Sequence, residues 1–131
     1  PNLVTARGLG LIEAELASHR QALATAQASA DRTGIARASR ELRYWSARRA
    51  SAQVVEPPAD ASVAAFGLTV TIERDDGRSQ TFCIVGEDEA DPAAGLISWV
   101  SPMARALNGK EVGDVAAVPG GEVELTGIRL D

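Results

Sequence analysis

The side chains whose types and spacing could do chemistry fall into a few groups. Glu87, Asp88, Glu89 and Asp91 form an acidic run. A calcium loop sets its ligands at regular alternate positions, and this run lacks that alternation, so it reads as a solvated loop. Arg32, Arg37, Arg40, Arg43, Arg48 and Arg49 crowd a second segment. A guanidinium offers a planar fork of donors suited to phosphate, and the competing reading is solubilising surface charge. His19 falls in register with apolar residues and reads as an interior packing residue. Cys83 lies in an alternating pattern and reads as core. No nucleophile–base pair, phosphate-binding Gly loop or Cys/His metal set is present, so no catalytic residue, metal ligand or cofactor is assigned.

Charge divides these groups between two halves. Residues 1–58 hold eight Arg against five acids, whereas residues 59–131 hold five basic residues against thirteen acids. A basic half followed by an acidic half suggests two modules with different partners; solvated surface charge is the plainer alternative. The 131 residues have room for one ordinary domain or two small ones. No apolar run approaches the roughly 18 residues of a membrane span. The opening lacks a basic-then-apolar secretory pattern, and a lone cysteine excludes an intrachain disulfide. A cytoplasmic protein is expected. The start at Pro1 instead of Met suggests processing or trimming.

Positioning these residues requires helices first. From about Thr5 to Gln53 the chain is rich in Ala, Arg, Glu and Leu, all strong helix formers. Thr5 is a candidate N-cap. Leu9, Ile12, Leu16, His19, Leu23 and Ala26 follow a three-four spacing, the seam of a coiled coil. Ile35, Ala38, Leu42, Trp45, Arg49 and Ala52 form a second stripe. A tight turn is expected at 30–34, giving an antiparallel helical hairpin with arms of roughly 30–35 Å at 1.5 Å per residue. Its tip should be only marginally stable, because Ala buries little area. Tyr44 and Trp45 lie near its base, where they could pack on the second module.

The double proline at 57–58 marks a linker. Beyond it the period becomes two. Leu68, Val70 and Ile72 alternate with polar residues, Asp75-Asp76-Gly77 signals a hairpin turn, and a strand returns over 80–85. Ser101 and Pro102 open a short helix as N-cap and first residue, and Gly109 stops it. Strands are expected over 115–118 and 123–130, joined at Pro119-Gly120-Gly121.

Four spaced motifs then stand in order: Val85-Gly86-Glu87-Asp88-Glu89-Ala90-Asp91; Ile97-Ser98 with Ser101-Pro102-Met103-Ala104-Arg105-Ala106-Leu107-Asn108-Gly109-Lys110; Val112-Gly113-Asp114; and Pro119-Gly120-Gly121. This order and spacing closely resemble the C-terminal domain of the Gre transcript-cleavage factors, over about residues 60–131. Thr5, Gly8, Ile12, Glu15 and Leu16, and later Arg40-Glu41-Leu42 and Ala52-Gln53-Val54-Val55, resemble that family's N-terminal hairpin more weakly.

The resemblance implies an α+β chain. An antiparallel coiled-coil hairpin (1–55) and a linker (56–61) would precede a small mixed β domain with one short helix (62–131), similar to FK506-binding proteins. It implies a bacterial RNA polymerase partner, bound at the rim of the secondary channel through Ser101, Pro102 and Met103. Trp99 is either an added aromatic anchor or core. Arg37, Arg40 and Arg43 become candidate contacts to nascent RNA or acidic channel walls. A monomer that touches no membrane is expected.

The family's cleavage chemistry uses clustered tip acids that help hold a second Mg²⁺, a hard ion that prefers carboxylate and water oxygens. Here the tip offers Asp31 alone, beside Arg32, and the next acid is Glu41. The expected function is therefore a regulator without cleavage activity and not an enzyme, with Asp31 serving as a turn or N-cap residue. The alternatives are a cleavage stimulator using Asp31, a protein similar to the regulators of nucleoside diphosphate kinase, and a peptidyl-prolyl isomerase. The low aromatic content, 4%, argues against the last.

Overall fold

The computed structural model describes residues 1–131. It is an α+β chain in which two long helices stand beside a five-stranded mixed sheet.

The hairpin consists of α1 (Ala6–Ala28) and α2 (Arg32–Ser51). Thr5 caps α1, its hydroxyl accepting from the Gly8 amide at 2.9 Å. Ile12, Leu16 and Ala26 of the first stripe and Ala38 of the second are buried between the helices. The helices turn within Ser29, Ala30 and Asp31, so Arg32–Gly34, expected in the turn, are instead the first turn of α2. The reason is a tight helix stop. Ala30 takes a left-handed φ of 52°, while the Ala30 amide donates to Gln27 O and the Asp31 amide to Ala26 O. That is the Schellman pattern, with Ala where Gly usually stands.

A strand pair absent from the sequence expectations ties the hairpin's ends together. β1 (Asn2–Val4) runs parallel to β2 (Ala52–Val54). Ala52 and Gln53, expected in the helix, leave it because β1 offers a ladder partner; Ala52 sits at ψ 128° in extended backbone.

The second module is a sheet in the order β5-β4-β3-β7-β6. Its strands are β3 (Thr69–Arg74), β4 (Ser79–Val85), β5 (Leu96–Ser98), β6 (Val115–Val118) and β7 (Gly121–Arg129), with α3 (Pro102–Leu107) between β5 and β6. β4 and β5 are parallel, the other pairs antiparallel. The turn after Asp76 and that at Gly120-Gly121 fall where the residues place them, with positive φ at Gly77, Gly120 and Gly121. β5 lay outside the expectations because three residues are too few for a period. Alternation delivers Val70, Ile72, Val123 and Leu125 to one face, where Ala104 and Leu107 of α3 close the core. In β7, Thr126 is an extra residue opposite the step from Thr71 to Ile72, a bulge. The first linker proline lies against this module: a Cβ on Gly67 would come within 2.8 Å of Pro57 Cβ.

Candidate functional site

Around α3, Val100, Pro102 and Arg105 are exposed, while Trp99, Ser101 and Met103 are half-buried. Ser101 Oγ accepts from the Ala104 amide at 3.2 Å, so the hydroxyl caps the helix as its type requires. Pro102 is exposed at the helix's first position, and Met103 is half-buried against the core. Trp99 is also half-buried against the core, so its ring is partly core and partly surface. Its indole N–H is enclosed and has no acceptor. Beside it lies a cavity of about 640 Å³ whose walls include Phe66, Trp99, Val100, Arg105 and, from the hairpin module, Leu3.

At the hairpin tip Asp31 caps α2, its Oδ1 accepting from the Gly34 amide at 3.1 Å. A Cβ on Gly34 would meet Asp31 Oδ2 at 2.5 Å, so the glycine gives the carboxylate room to fold back onto the helix end. Arg32 is exposed beside it. Along α2, Arg37, Arg40 and Arg43 are exposed and form no ion pair. Their offsets along the helix place them on one broad solvent-facing arc. His19, half-buried on the seam, is not simply packed: its Nε2 lies 3.1 Å from Glu15 Oε2 and 3.7 Å from Glu41 Oε2.

The acidic run departs most from its expectation as a solvated loop. The Glu89 side chain is only 4% exposed. One of its oxygens accepts from the Thr5 hydroxyl and the other from Arg7 Nη1 at 2.8 Å. Asp88 accepts from Arg48 Nε at 2.6 Å and from the Tyr44 hydroxyl, while Glu87 accepts from Arg48 Nη2 at 2.9 Å. Arg48 also donates to Asn2 Oδ1 at 2.6 Å. Three consecutive acids of the sheet module thus grip both helices, and Arg48 links them on to β1 through Asn2. The modules also approach closely at two glycines. A Cβ on Gly8 would come within 2.8 Å of the Glu89 side chain at Oε1, and one on Gly86 within 2.5 Å of the Leu3 backbone carbonyl.

Residue reading missed this contact because a charge run declares nothing about what faces it. One signal was available: the charge imbalance between the halves, part of which is neutralised inside the molecule. Tyr44 near the base reaches the second module through its hydroxyl, not by packing its ring, which stays half exposed. That hydrogen bond, with burial and the Asp88 charge, raises the phenol above its ordinary value of 10.0.

Comparison with known proteins follows the same division. A family model described as "Transcription elongation factor, GreA/GreB, C-term" matches residues 59–128. A transcription elongation factor GreA of Alkalilimnicola ehrlichii is 51% identical over 79 residues, covering 56% of this chain and 50% of the relative. One of Desulfovibrio desulfuricans is 39% identical over 109 residues, covering 79% of this chain and 66% of the relative. The chain spans about half the length of the first relatives it matches, 50% and 51%. A crystal structure of GreA factor homolog 1 (Gfh1) of Thermus thermophilus aligns over 98% of both chains at 23% identity and a TM-score of 0.48. With the family model spanning residues 59–128, α3, the acidic run and all of the sheet but Arg129 lie inside the match, and the chain belongs to the Gre family of transcription elongation factors.

Proposed function

We propose that this chain is a monomeric, cytoplasmic, RNA polymerase-associated regulator that acts on elongation without stimulating transcript cleavage. Its sheet module docks at the rim of the secondary channel through Ser101, Pro102, Met103 and Trp99. The hairpin module (1–55), joined through the linker (56–61) to the docking module (62–131), is presented at or in the channel. There Arg37, Arg40 and Arg43 face acidic walls or nascent RNA, and the hairpin modulates catalysis or competes with other channel-binding factors.

One observation carries the absence of cleavage: the tip's single carboxylate, Asp31, is engaged as the cap of α2. A shared Mg²⁺ needs several hard oxygen ligands converging in near-octahedral geometry. Glu41, the next acid, lies ten residues further on, about 15 Å along the helix. Turning Asp31 toward a metal would uncap α2 at a cost of about 1 kcal/mol and still supply only one ligand.

The test is a pull-down with core polymerase, followed by an RNA cleavage assay on stalled complexes. Binding without cleavage is expected. Failure to bind removes the docking proposal, and cleavage that disappears in Asp31→Ala removes the rest.

A further inference from the structure

The acidic run is the only polar contact network that joins the two modules. We propose that Glu89 and Asp88 are positioning residues: they form an inter-module latch that sets the direction in which the hairpin projects from the docking face.

A carboxylate taken out of water costs several kcal/mol unless charge and hydrogen bonds compensate. Glu89 sits almost fully buried, and both of its partners, Thr5 and Arg7, belong to the other module. Its compensation therefore exists only in this relative placement. Asp88, 6% exposed at its side chain, repeats the arrangement with Arg48 and Tyr44. The two grips hold different helices, Glu89 the first turn of α1 and Asp88 the last turns of α2. Two anchors on two antiparallel helices fix rotation as well as distance, which one anchor cannot do. The Gly8 and Gly86 approaches show that the surfaces interlock with no room for a methyl group. The tip lies some 30 Å from the latch at 1.5 Å per residue. A rotation of about 10° at the base therefore moves the tip by roughly 5 Å on that lever arm.

The consequence for polymerase rests on the function proposed above: latch changes should leave docking intact and misdirect the hairpin. The direction itself is testable on the free, full-length protein. Spin labels at Gln27→Cys and Ala117→Cys, in a Cys83→Ala background, report the distance between tip and sheet by pulsed electron resonance. A single narrow distribution is expected in the parent. Asp88→Asn/Glu89→Gln should broaden or split it, while circular dichroism keeps both helix and strand content. Arg7→Ala/Arg48→Met attacks the same latch from the hairpin side, leaves the sheet module's sequence untouched and should broaden it equally. If both double variants keep the parent's narrow distribution, the latch does not set direction and the proposal fails.

With polymerase, the latch variants should bind core enzyme within about threefold of the parent, since the docking residues are separate from the latch. Their effect on elongation should fall by about tenfold through misplacement. An unchanged effect on elongation despite a broadened distribution would overturn the positioning role. If even the parent fails to bind polymerase, the proposed function falls, while the distance measurement still judges the latch.

Discussion

The base and the tip of the hairpin are built from the same two helices, yet different physics holds each. At the base, Ile12 and Leu16 are buried, β1 pairs with β2, and the acidic run clasps both helices. At the tip, the only buried side chains are Ala26 and Ala38, and order depends on one Schellman turn and one capping carboxylate. An alanine methyl buries little area, so the tip lacks the hydrophobic contribution of roughly 25 cal/mol per Å² that larger side chains bring. The difference teaches that a coiled coil can be graded: large apolar side chains, a strand ladder and a charged clasp at one end, a capped turn over alanines at the other.

Substitutions can break this contrast. The largest effect is expected at the base. Ile12, fully buried, should cost about 2–5 kcal/mol as Ile12→Ala, read as a lower urea midpoint for the helical signal. Asp31→Ala should cost about 1 kcal/mol and act locally. Hydrogen exchange should accelerate at the Gly34 and Ile35 amides, while amides near Ile12 keep their protection. Equal acceleration at both ends would abolish the graded picture.

A smaller effect should run the other way. Ala30 holds a left-handed φ that costs a non-glycine residue about 1–2 kcal/mol. Glycine relieves this but adds about 0.5–1 kcal/mol of unfolded-state freedom. Ala30→Gly should therefore stabilise the tip by about 0.5 kcal/mol, seen as slower exchange at Asp31 and Ile35.

Tyr44 donates to Asp88, and that bond raises its phenol above 10.0. A group whose folded pKa is raised contributes stability that is complete below its unfolded value and is lost as pH rises through the folded one. The Tyr44 contribution should thus hold through neutral pH and fade in the alkaline range above 10.0. Tyr44 is the only tyrosine, so its ultraviolet titration isolates the effect. Asp88→Asn should move that titration back toward the ordinary value, and an unmoved curve would detach Tyr44 from the latch.

Local chemistry was the legible part of this molecule. Thr5, Asp31 and Ser101 read as caps because a short hydroxyl or carboxylate before a helix has one preferred acceptor role, and all three occupy it. Asp76-Gly77 and Pro119-Gly120-Gly121 read as turns for equally local reasons, and the three-four stripes located the seam. Contacts between distant segments were not legible. Asn2–Val4 finds Ala52–Val54 fifty residues away, with no turn to announce the pairing. Glu89 carries the same side chain whether solvated or buried, and only the arrival of Thr5 and Arg7 decides which. The motifs around Ser101-Pro102 were readable as a pattern, but the share of Trp99 given to core and to surface needed the packed sheet beneath it.

The parallel pairing of β1 with β2 has a mechanical meaning. α1 leaves from the C-terminal end of β1, and α2 enters at the N-terminal end of β2. In a parallel pair those exits lie at opposite ends of the ladder. A force that spreads the two helices at their base therefore pulls the strands along their own axis, in shear. All the ladder's hydrogen bonds then bear the load together and do not peel open one by one. A push delivered to the hairpin tip would meet a clasp that resists by sharing the strain.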